Sequence, residues 1–436
     1  MIMQLLRHTP AILAVFMAAA CSAGNNNGSG GSPGDGEGAG NEGGATTAVA
    51  TSSQGGSASS FGNTTGTSMQ AGCDAGPDED KDQDGFSINQ NDCNDCDPNV
   101  NPNAIEVIVD GGMGGGGGVM EPADEDCDGE IDNVAGPCDT GLPFDSTDAM
   151  DGARAIELCK TATPESDWGV VSAQWVRANG SPVSTSSVQY GILPNFGPSV
   201  APRAGESVLA LSSGTARLPG QAGACTSHAC ASGAGTPPPG FPQAVPGCDV
   251  SSTINDDIGL EVTLKAPSNA TGYKFDFKFY SFEYAEYVCT LFNDQFIALV
   301  NPAPMGSQNG NISFDSNSNP VSVNIAFFDV CNGCDDFAAY CYTGTCPTAP
   351  NPCCPSGGAE LMGNGFDNAF GSNFEDAGGT SWLQTTAPIG PGESFSVRYT
   401  IWDVQDTAYD STSVIDNFEW IANGGTVIVG TNPVPE

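Results

Sequence analysis

Apolar and polar residues alternate in four segments of the C-terminal half of the chain. Every second residue there is aliphatic or aromatic, with mostly polar side chains between. Successive side chains of a β-strand point to opposite faces of a sheet, so this pattern predicts strands that each bury one face. The apolar positions are Ile258, Leu260, Val262 and Leu264; Tyr273, Phe275, Phe277 and Phe279; Val321, Val323, Ile325 and Phe327; and Phe395, Val397, Tyr399 and Ile401.

The connections between these segments are rich in turn residues, and long helical patterns are missing from the sequence. We therefore expect an all-β fold, an antiparallel β-sandwich of the jelly-roll or lectin-like kind. One short helix is predicted over residues 148–160. Asp148 can cap its N-terminus, and Ile156 and Leu158 contribute to an apolar side.

Residues 1–20 have the pattern of a secretory signal. Arg7 lies in the basic beginning, an apolar run follows, and three alanines precede Cys21. The pattern resembles a lipoprotein signal, which implies that Cys21 is acylated and becomes the mature N-terminus. The alternative is ordinary cleavage after Ala20, which would leave Cys21 as a loose thiol. Removing Cys21 from the 17 cysteines leaves an even number that can pair completely.

The cysteine content predicts export to an oxidising compartment, because disulfides are rare in the cytosol. Cys138 and Cys159 bracket the predicted helix and form one expected disulfide. Residues 21–72 consist almost entirely of small and polar residues, so we expect a flexible tether with a mean reach of roughly 40 Å. An acidic module at 73–137 and a sandwich domain at 138–436 follow, the latter with a cysteine-rich insertion at 331–354.

Acids outnumber bases by 52 to 11, giving a formal charge of -41. Such a chain repels phosphate backbones and anionic headgroups, so we expect no nucleic-acid partner and membrane contact only through the lipid anchor. Between Cys73 and Asp139 there are 19 acidic residues and a single base, Lys81. Charges crowded to this degree oppose folding unless cations neutralise some of them.

The acidic module contains the pattern D-x-D-x-D-G twice, at 80–85 and 124–129. Carboxylates at the first, third and fifth positions converge on a hard cation, and the glycine permits the sharp turn. Glu is absent from the twelfth position and amphipathic helices are absent from the flanks, so these loops are not EF-hands. The predicted calcium ligands, including carbonyls at the seventh position, are Asp80, Asp82, Asp84, Phe86 and Asp92, and Asp124, Asp126, Asp128, Glu130 and Asp132. The alternative is a solvated acidic spacer without a site.

These loops resemble those of thrombospondin type 3 repeats, and the whole module resembles the metal-binding motif of MopE-type bacterial surface proteins. The matching residues are Asp80 to Phe86, Asn91 to Asp95, Asp97 to Pro102, Ala104, Glu106 and Asp124 to Asp132. A Gly-rich insertion at 111–118 separates the two halves. Copper is associated with the name of that family. The mature chain has one histidine, His228, which lies far from this module, so the oxygen-rich ligand set favours calcium.

The C-terminal part resembles the choice-of-anchor L domain of bacterial surface proteins, from about residue 168 to 422. The resemblance implies display at a surface and carries no established activity. The matching residues are Phe279 to Val288, Phe292 to Phe296, Asn311-Ile312, Val321 to Asn324, Gly390 to Gly392, Ile401 to Asp406 and Tyr409 to Ser411.

Four aspartates of this domain form a second candidate calcium site, since clustered carboxylates repel one another unless a cation joins them. They are Asp294, Asp403, Asp406 and Asp410. The alternative is a cluster that only stabilises loops.

Two further patterns suggest other chemistry. Glu283 and Glu286 could serve as a glycosidase pair, but three residues apart on a strand they would face opposite sides of the sheet. Cys225, His228, Cys230 and Cys248 have a zinc-like spacing, although disulfides are simpler in an oxidising compartment.

We predict a non-catalytic, lipid-anchored protein of the outer membrane or extracellular surface. It binds calcium and serves adhesion or ligand display, with a glycan or a surface protein as its partner. Two rival hypotheses are a secreted hydrolase that acts on polysaccharide through carboxylates, and a copper- or metal-scavenging surface protein.

Overall fold

The computed structural model describes residues 74–108, 122–162, 167–183, 187–285, 287–324, 327–331, 354–367, 377–422 and 424–435. Several predicted features lie outside these ranges: the signal, the acylation site Cys21, the tether, Cys73, Glu286 and most of the cysteine-rich insertion. The described residues belong to one compact unit, Thr65–Glu436. Both the acidic module and the sandwich lie in it.

Thirteen strands are assigned in the described ranges. In chain order they are β1 (Gly169–Val176), β2 (Tyr190–Leu193), β3 (Val208–Ser212), β4 (Ile254–Lys265), β5 (Gly272–Ser281), β6 (Gln295–Asn301), β7 (Val321–Ser322), β8 (Phe328–Cys331), β9 (Gly378–Thr380), β10 (Leu383–Pro388), β11 (Ser394–Val404), β12 (Ser411–Ile421) and β13 (Gly430–Pro433).

The strands form two sheets, and every pairing between named strands is antiparallel. The five-stranded sheet has the order β1-β4-β11-β6-β7. The larger sheet has the order β13-β10-β5-β12-β3-β2, with β9 joining β8 to the end of β5. The prediction of an all-β antiparallel sandwich is confirmed.

The core between the sheets is built from the predicted alternating positions. Phe275, Phe277 and Phe279 of β5 are fully buried. The Phe275 ring meets Tyr399 of β11 edge to face at 5.0 Å, and Phe277 lies 5.0 Å from Phe296 of β6. Aromatic pairs in these geometries add to the free energy gained by burying their apolar area.

The prediction that each strand buries only one face is wrong for β5. Asp276 and Lys278 point away from the core, yet both are fully buried. Loops cover this outer face and supply partners of opposite charge. Arg203 Nε lies 3.1 Å from Asp276, and Glu360 Oε2 lies 2.8 Å from Lys278 Nζ. The alternation of apolar and polar residues therefore predicted the strand, but it did not predict the segments that pack against its outer face.

Two predicted elements are shorter than expected. The strand predicted over 321–327 is broken, because β7 ends at Ser322 and β8 begins only at Phe328. The helix predicted over 148–160 is a six-residue helix, α1 (Ala149–Arg154). Asp148 caps it as predicted, accepting a hydrogen bond from the Met150 N–H at 3.0 Å. A left-handed turn at Glu157 (φ 68°) diverts the chain soon after the helix ends.

Five cysteine pairs in the described ranges have their sulfur atoms at disulfide distance. They are Cys93–Cys127, Cys138–Cys159, Cys225–Cys230, Cys248–Cys289 and Cys331–Cys354. The second is the pair expected around the helix. Of the helices seen in the described ranges, none has the length and apolar character needed to cross a bilayer.

Candidate metal sites

The first aspartate loop folds around its own carboxylates. The Gly85 N–H donates to Asp80 Oδ2 at 3.1 Å, the Asp84 N–H to Asp82 Oδ1 at 3.3 Å, and the Phe86 N–H to Asp84 Oδ1 at 2.8 Å. Gly85 has a φ of 100°, a backbone conformation that glycine adopts readily. One oxygen of each aspartate thus holds the turn, leaving the other oxygen for a ligand.

The second loop repeats this arrangement. The Gly129 N–H donates to Asp124 Oδ2 at 3.1 Å, the Asp128 N–H to Asp126 Oδ1 at 3.1 Å, and the Glu130 N–H to Asp128 Oδ1 at 2.8 Å. Gly129 also has a positive φ, 96°. Two loops from separate parts of the sequence therefore share one hydrogen-bonding pattern.

The remaining carboxylate oxygens of the first loop lie together without donors. Buried oxygens of Asp82, Asp84, Asp92 and Asp95 have no hydrogen-bond partner. Asp92 and Asp95 are only 3% and 2% exposed. Oxygens of Asp82, Asp84 and Asp92 lie within 4.8 Å of one another, as do those of Asp80, Asp82 and Asp95. Oxygens at about 2.3–2.6 Å from a shared calcium would be separated by distances of this order.

A second acidic triad forms beside the second loop. Oxygens of Glu106, Glu125 and Asp132 lie within 4.8 Å of one another. Buried oxygens of Asp124 and Asp132 have no partner. Asp128, by contrast, is exposed and accepts a hydrogen bond from Asn133 Nδ2 at 2.8 Å. Each loop has one exposed aspartate, but the neighbouring carboxylates around the second loop are less buried than Asp92 and Asp95 beside the first, so the second site is more open.

Burial, and to a smaller degree the charges of neighbouring acids, raises the pKa of several of these carboxyls. Burial, with smaller contributions from neighbouring aspartates, raises the pKa of Asp92 to about 6. Burial raises the pKa of Glu106 to about 7, and the nearby Glu125 adds to the effect. Burial also raises the pKa values of Asp82, Asp84 and Asp126. A divalent cation would remove the repulsion among these groups.

The module is closed by a disulfide and attached to the sandwich. Cys93 and Cys127 connect the two halves of the module, with the sulfur atoms 2.08 Å apart. Asn101 Oδ1 accepts a hydrogen bond from Ser268 Oγ at 2.7 Å. The Asn269 side chain donates to the Ile105 carbonyl at 2.8 Å and accepts from the Ile105 N–H at 3.0 Å. The loops are thus held at the turn between β4 and β5.

Sequence reasoning did not assign Asp95, Glu106 or Glu125 as ligands. All three lie within the segments that resemble the MopE-type motif, so the resemblance was a usable signal. The loop pattern alone gives no reason to select Glu125, because it occupies an intervening position of the second D-x-D-x-D-G loop. Its side chain accepts a hydrogen bond from the Val107 N–H at 3.1 Å, which turns it towards Glu106.

A second cluster lies at one end of the sandwich. Asp294 precedes β6, Asp403 is near the end of β11, and Asp410 precedes β12. Asp294 and Asp403 are fully buried, and Asp410 is 4% exposed. The structure adds a residue that sequence reasoning had placed on a strand. Glu283 lies in the turn after β5, is 1% exposed, and accepts the Asp294 N–H at 3.3 Å.

Asp406, predicted as a ligand of the same site, lies at its margin. It is partly exposed, and its Oδ1 accepts a hydrogen bond from the Ala408 N–H at 3.1 Å. It is near enough to add to the raised pKa values of Glu283 and Asp294.

Each of the three cysteines with zinc-like spacing is in a disulfide. Cys225 joins Cys230, and Cys248 joins Cys289. The 225–230 loop contacts the acidic cluster, since the Cys230 N–H donates to Asp410 Oδ2 at 3.0 Å and the Asp410 N–H donates to the His228 carbonyl at 2.8 Å.

Comparison with known families supports the predicted resemblance. The family model of the Choice-of-anchor L domain matches residues 209–417, a segment that runs from β3 into β12. This match confirms the resemblance for slightly less than half of the chain. No curated protein matches the sequence significantly.

The matched domain indicates a broad class of protein. It is a surface-anchoring domain rather than a known enzyme family, and it indicates a surface-associated bacterial protein.

Proposed function

We propose that this protein is a calcium-binding surface lipoprotein that is held to the outer membrane by acylated Cys21 and serves adhesion or ligand display. The observation that carries the calcium assignment is the group of buried, unpartnered carboxylate oxygens in the first aspartate loop. Hard oxygen donors without sulfur or imidazole suit calcium.

The shared backbone arrangement of the two loops supports this proposal. In each loop, the backbone N–H groups hold one oxygen of three successive aspartates. The backbone thereby fixes the orientation of these carboxylates before a cation binds. The first loop has more buried carboxylates, so it is the tighter site, with the more open second loop binding more weakly.

The role in adhesion or display is supported by the matched domain. The partner in this proposal is a glycan or a surface protein. The lipid anchor rests on the sequence pattern that precedes Cys21.

Calorimetric titration of calcium into the purified mature protein tests the metal component. We expect Asp84→Asn and Asp128→Asn each to remove or weaken one binding event, because each deletes a carboxylate from one loop. Asp78→Asn is the matched control, since Asp78 is an exposed aspartate of the same module outside both loops. If Asp84→Asn and Asp128→Asn both bind calcium as the unmodified protein does, the assignment is refuted.

A glycan array probed with the same protein, with and without calcium, tests the display component. Calcium-dependent binding to a defined glycan class supports ligand display. If the protein binds no glycan, the proposal requires a surface protein as its partner. Pull-down with intact bacterial cells would then have to show calcium-dependent adhesion. Failure of both assays would refute this component without affecting the calorimetric result.

A further inference from the structure

A buried acidic cluster lies at the end of the sandwich, and within the part of the chain that the structure describes no lysine or arginine forms an ion pair with it. Its four members are Glu283, Asp294, Asp403 and Asp410. Isolated buried carboxylates are strongly unfavourable, so each must be protonated or must meet a cation.

Hydrogen bonds satisfy only part of the cluster. Asp294 accepts the Val404 N–H at 2.9 Å and the Ser411 hydroxyl at 2.6 Å. Among the described residues, no donor in ordinary hydrogen-bond geometry serves the buried oxygens of Asp403 or Oδ1 of Asp410. The Ser213 hydroxyl and the Asp294 carboxyl nevertheless lie near enough to Asp403 to shift its pKa, and the charge of Asp410 adds to the effect. Asp403 is fully buried, so bulk solvent does not reach this crowded group of carboxyls.

The four carboxylates come from both sheets. Glu283 follows β5 and Asp410 precedes β12, and these strands pair in the larger sheet. Asp294 precedes β6 and Asp403 ends β11, and these strands pair in the five-stranded sheet. The ends of four strands meet here, so a single ligand can contact both layers of the sandwich.

The backbone around Asp410 is shaped to admit its carboxylate. A β-carbon on Gly214 would collide with the Asp410 carboxylate, so only glycine allows this approach. The Cys225–Cys230 loop covers the other side through the Cys230 N–H. Asp410 also lines a surface pocket together with Phe282 and Phe366.

We infer that Glu283, Asp294, Asp403 and Asp410 bind a divalent cation of the calcium class that joins the two sheets at this end of the sandwich. The site is independent of the aspartate loops, because its residues belong to other segments of the chain. The cation neutralises the cluster and supplies the partner that the Asp403 oxygens lack. It also fixes Asp410 in the wall of the adjacent pocket.

The alternative is that bound protons, rather than a cation, neutralise the four carboxylates. Burial raises the pKa of Asp294 to about 7 and of Asp410 to about 8, and it raises the pKa values of Glu283 and Asp403 well above the usual range. In a metal-free protein the cluster would therefore hold protons near neutral pH. Only a measurement of bound cation separates the two states.

The test is calcium stoichiometry of the full mature protein, measured by equilibrium dialysis. We expect Asp403→Asn to bind one calcium fewer than the unmodified protein. Asp249→Asn is the matched control, because Asp249 is an exposed aspartate of the same domain outside the cluster, so its replacement should keep the stoichiometry. Unchanged stoichiometry in Asp403→Asn would overturn the inference in favour of shared protons. The loop variants Asp84→Asn and Asp128→Asn report separately on the module, so either assignment can fail alone.

A second variant covers the case in which Asp403→Asn does not fold. Glu283→Gln removes a charge from the same cluster but keeps an oxygen that can accept the Asp294 N–H. We expect this variant, too, to bind one calcium fewer in equilibrium dialysis. Unchanged stoichiometry in Glu283→Gln would contradict a cation at this position.

Discussion

Lys278 Nζ and Glu360 Oε2 lie 2.8 Å apart on the outer face of β5, and the Lys278 side chain has no exposed surface. Glu360 also accepts a hydrogen bond from the Tyr280 hydroxyl, and the Lys278 ammonium lies 5.3 Å from the centre of the Trp382 ring. Because the Lys278 ammonium is buried, it has lost its contact with bulk water. Charged and polar neighbours such as Glu360 offset this loss of solvation.

Glu360→Gln should therefore lower the free energy of unfolding by about 1.5–3 kcal/mol, since it removes a charge-assisted hydrogen bond from the buried Lys278 ammonium. Glu419→Gln is the control: Glu419 pairs with Lys274 at 3.0 Å, but its side chain is 48% exposed. An exposed pair of this kind contributes at most about 1 kcal/mol. Urea unfolding of both variants measures the difference. Equal effects would contradict the structural role of the buried pair.

Removal of calcium should lower the melting temperature of the mature protein. A ligand that binds only the folded state at 100 times its Kd stabilises that state by about 2.7 kcal/mol per site. Differential scanning calorimetry with and without a calcium chelator measures the shift, and excess calcium should restore it. A melting temperature and a protease resistance that chelation leaves unchanged would rule out structural calcium.

Cys93–Cys127 should stabilise the protein more than Cys225–Cys230 does. The first pair closes a sequence separation of 34 residues and the second a separation of 5. Loop-closure entropy predicts losses of about 4 and about 2 kcal/mol when the paired cysteines are replaced by alanine. Denaturant unfolding of the two double variants, at saturating calcium, tests the order. The reverse order would show that strain or residual structure outweighs chain entropy.

Gly191→Ala should be destabilising, whereas Gly430→Ala should be nearly neutral. Both glycines lie in strands of the larger sheet. A β-carbon at Gly191 would collide with the Ala216 carbonyl oxygen and lie 2.7 Å from Arg217 Nη1, whereas at Gly430 it would meet no atom within 4 Å. Overpacking of this kind costs about 1–3 kcal/mol. Thermal unfolding of the pair checks the prediction, and equal melting temperatures would refute it.

Asp416 should make the folded protein less stable as the pH rises. Burial raises its pKa from 3.8 to about 7, despite the backbone N–H groups that donate to it. The folded state then binds a proton that the unfolded state has lost, so this contribution is present below about pH 4 and disappears as the pH approaches about 7. Asp416→Asn should flatten this part of the stability profile. Urea unfolding at several pH values measures it, and parallel profiles would contradict the assignment.

Much of the sandwich followed from the sequence because period-two alternation is a local property. The buried positions of β4, β5 and β11 could be read directly from it. The same reasoning failed for 321–327, where the chain turns after Ser322 despite its alternating pattern, and for the outer face of β5. Alternation reports which side of a strand is apolar, but it does not report what the other side packs against.

The sequence by itself determined the antiparallel β-class, the acidic character of the module and the position of both aspartate loops, because each depends on residues that are close together in the chain. Tertiary structure alone placed Glu283 beside Asp294, Asp403 and Asp410, and Glu106 beside Glu125 and Asp132. Those groups come from segments far apart in sequence. Only the packing of the two sheets and the closure of the module bring their charges within reach of one another.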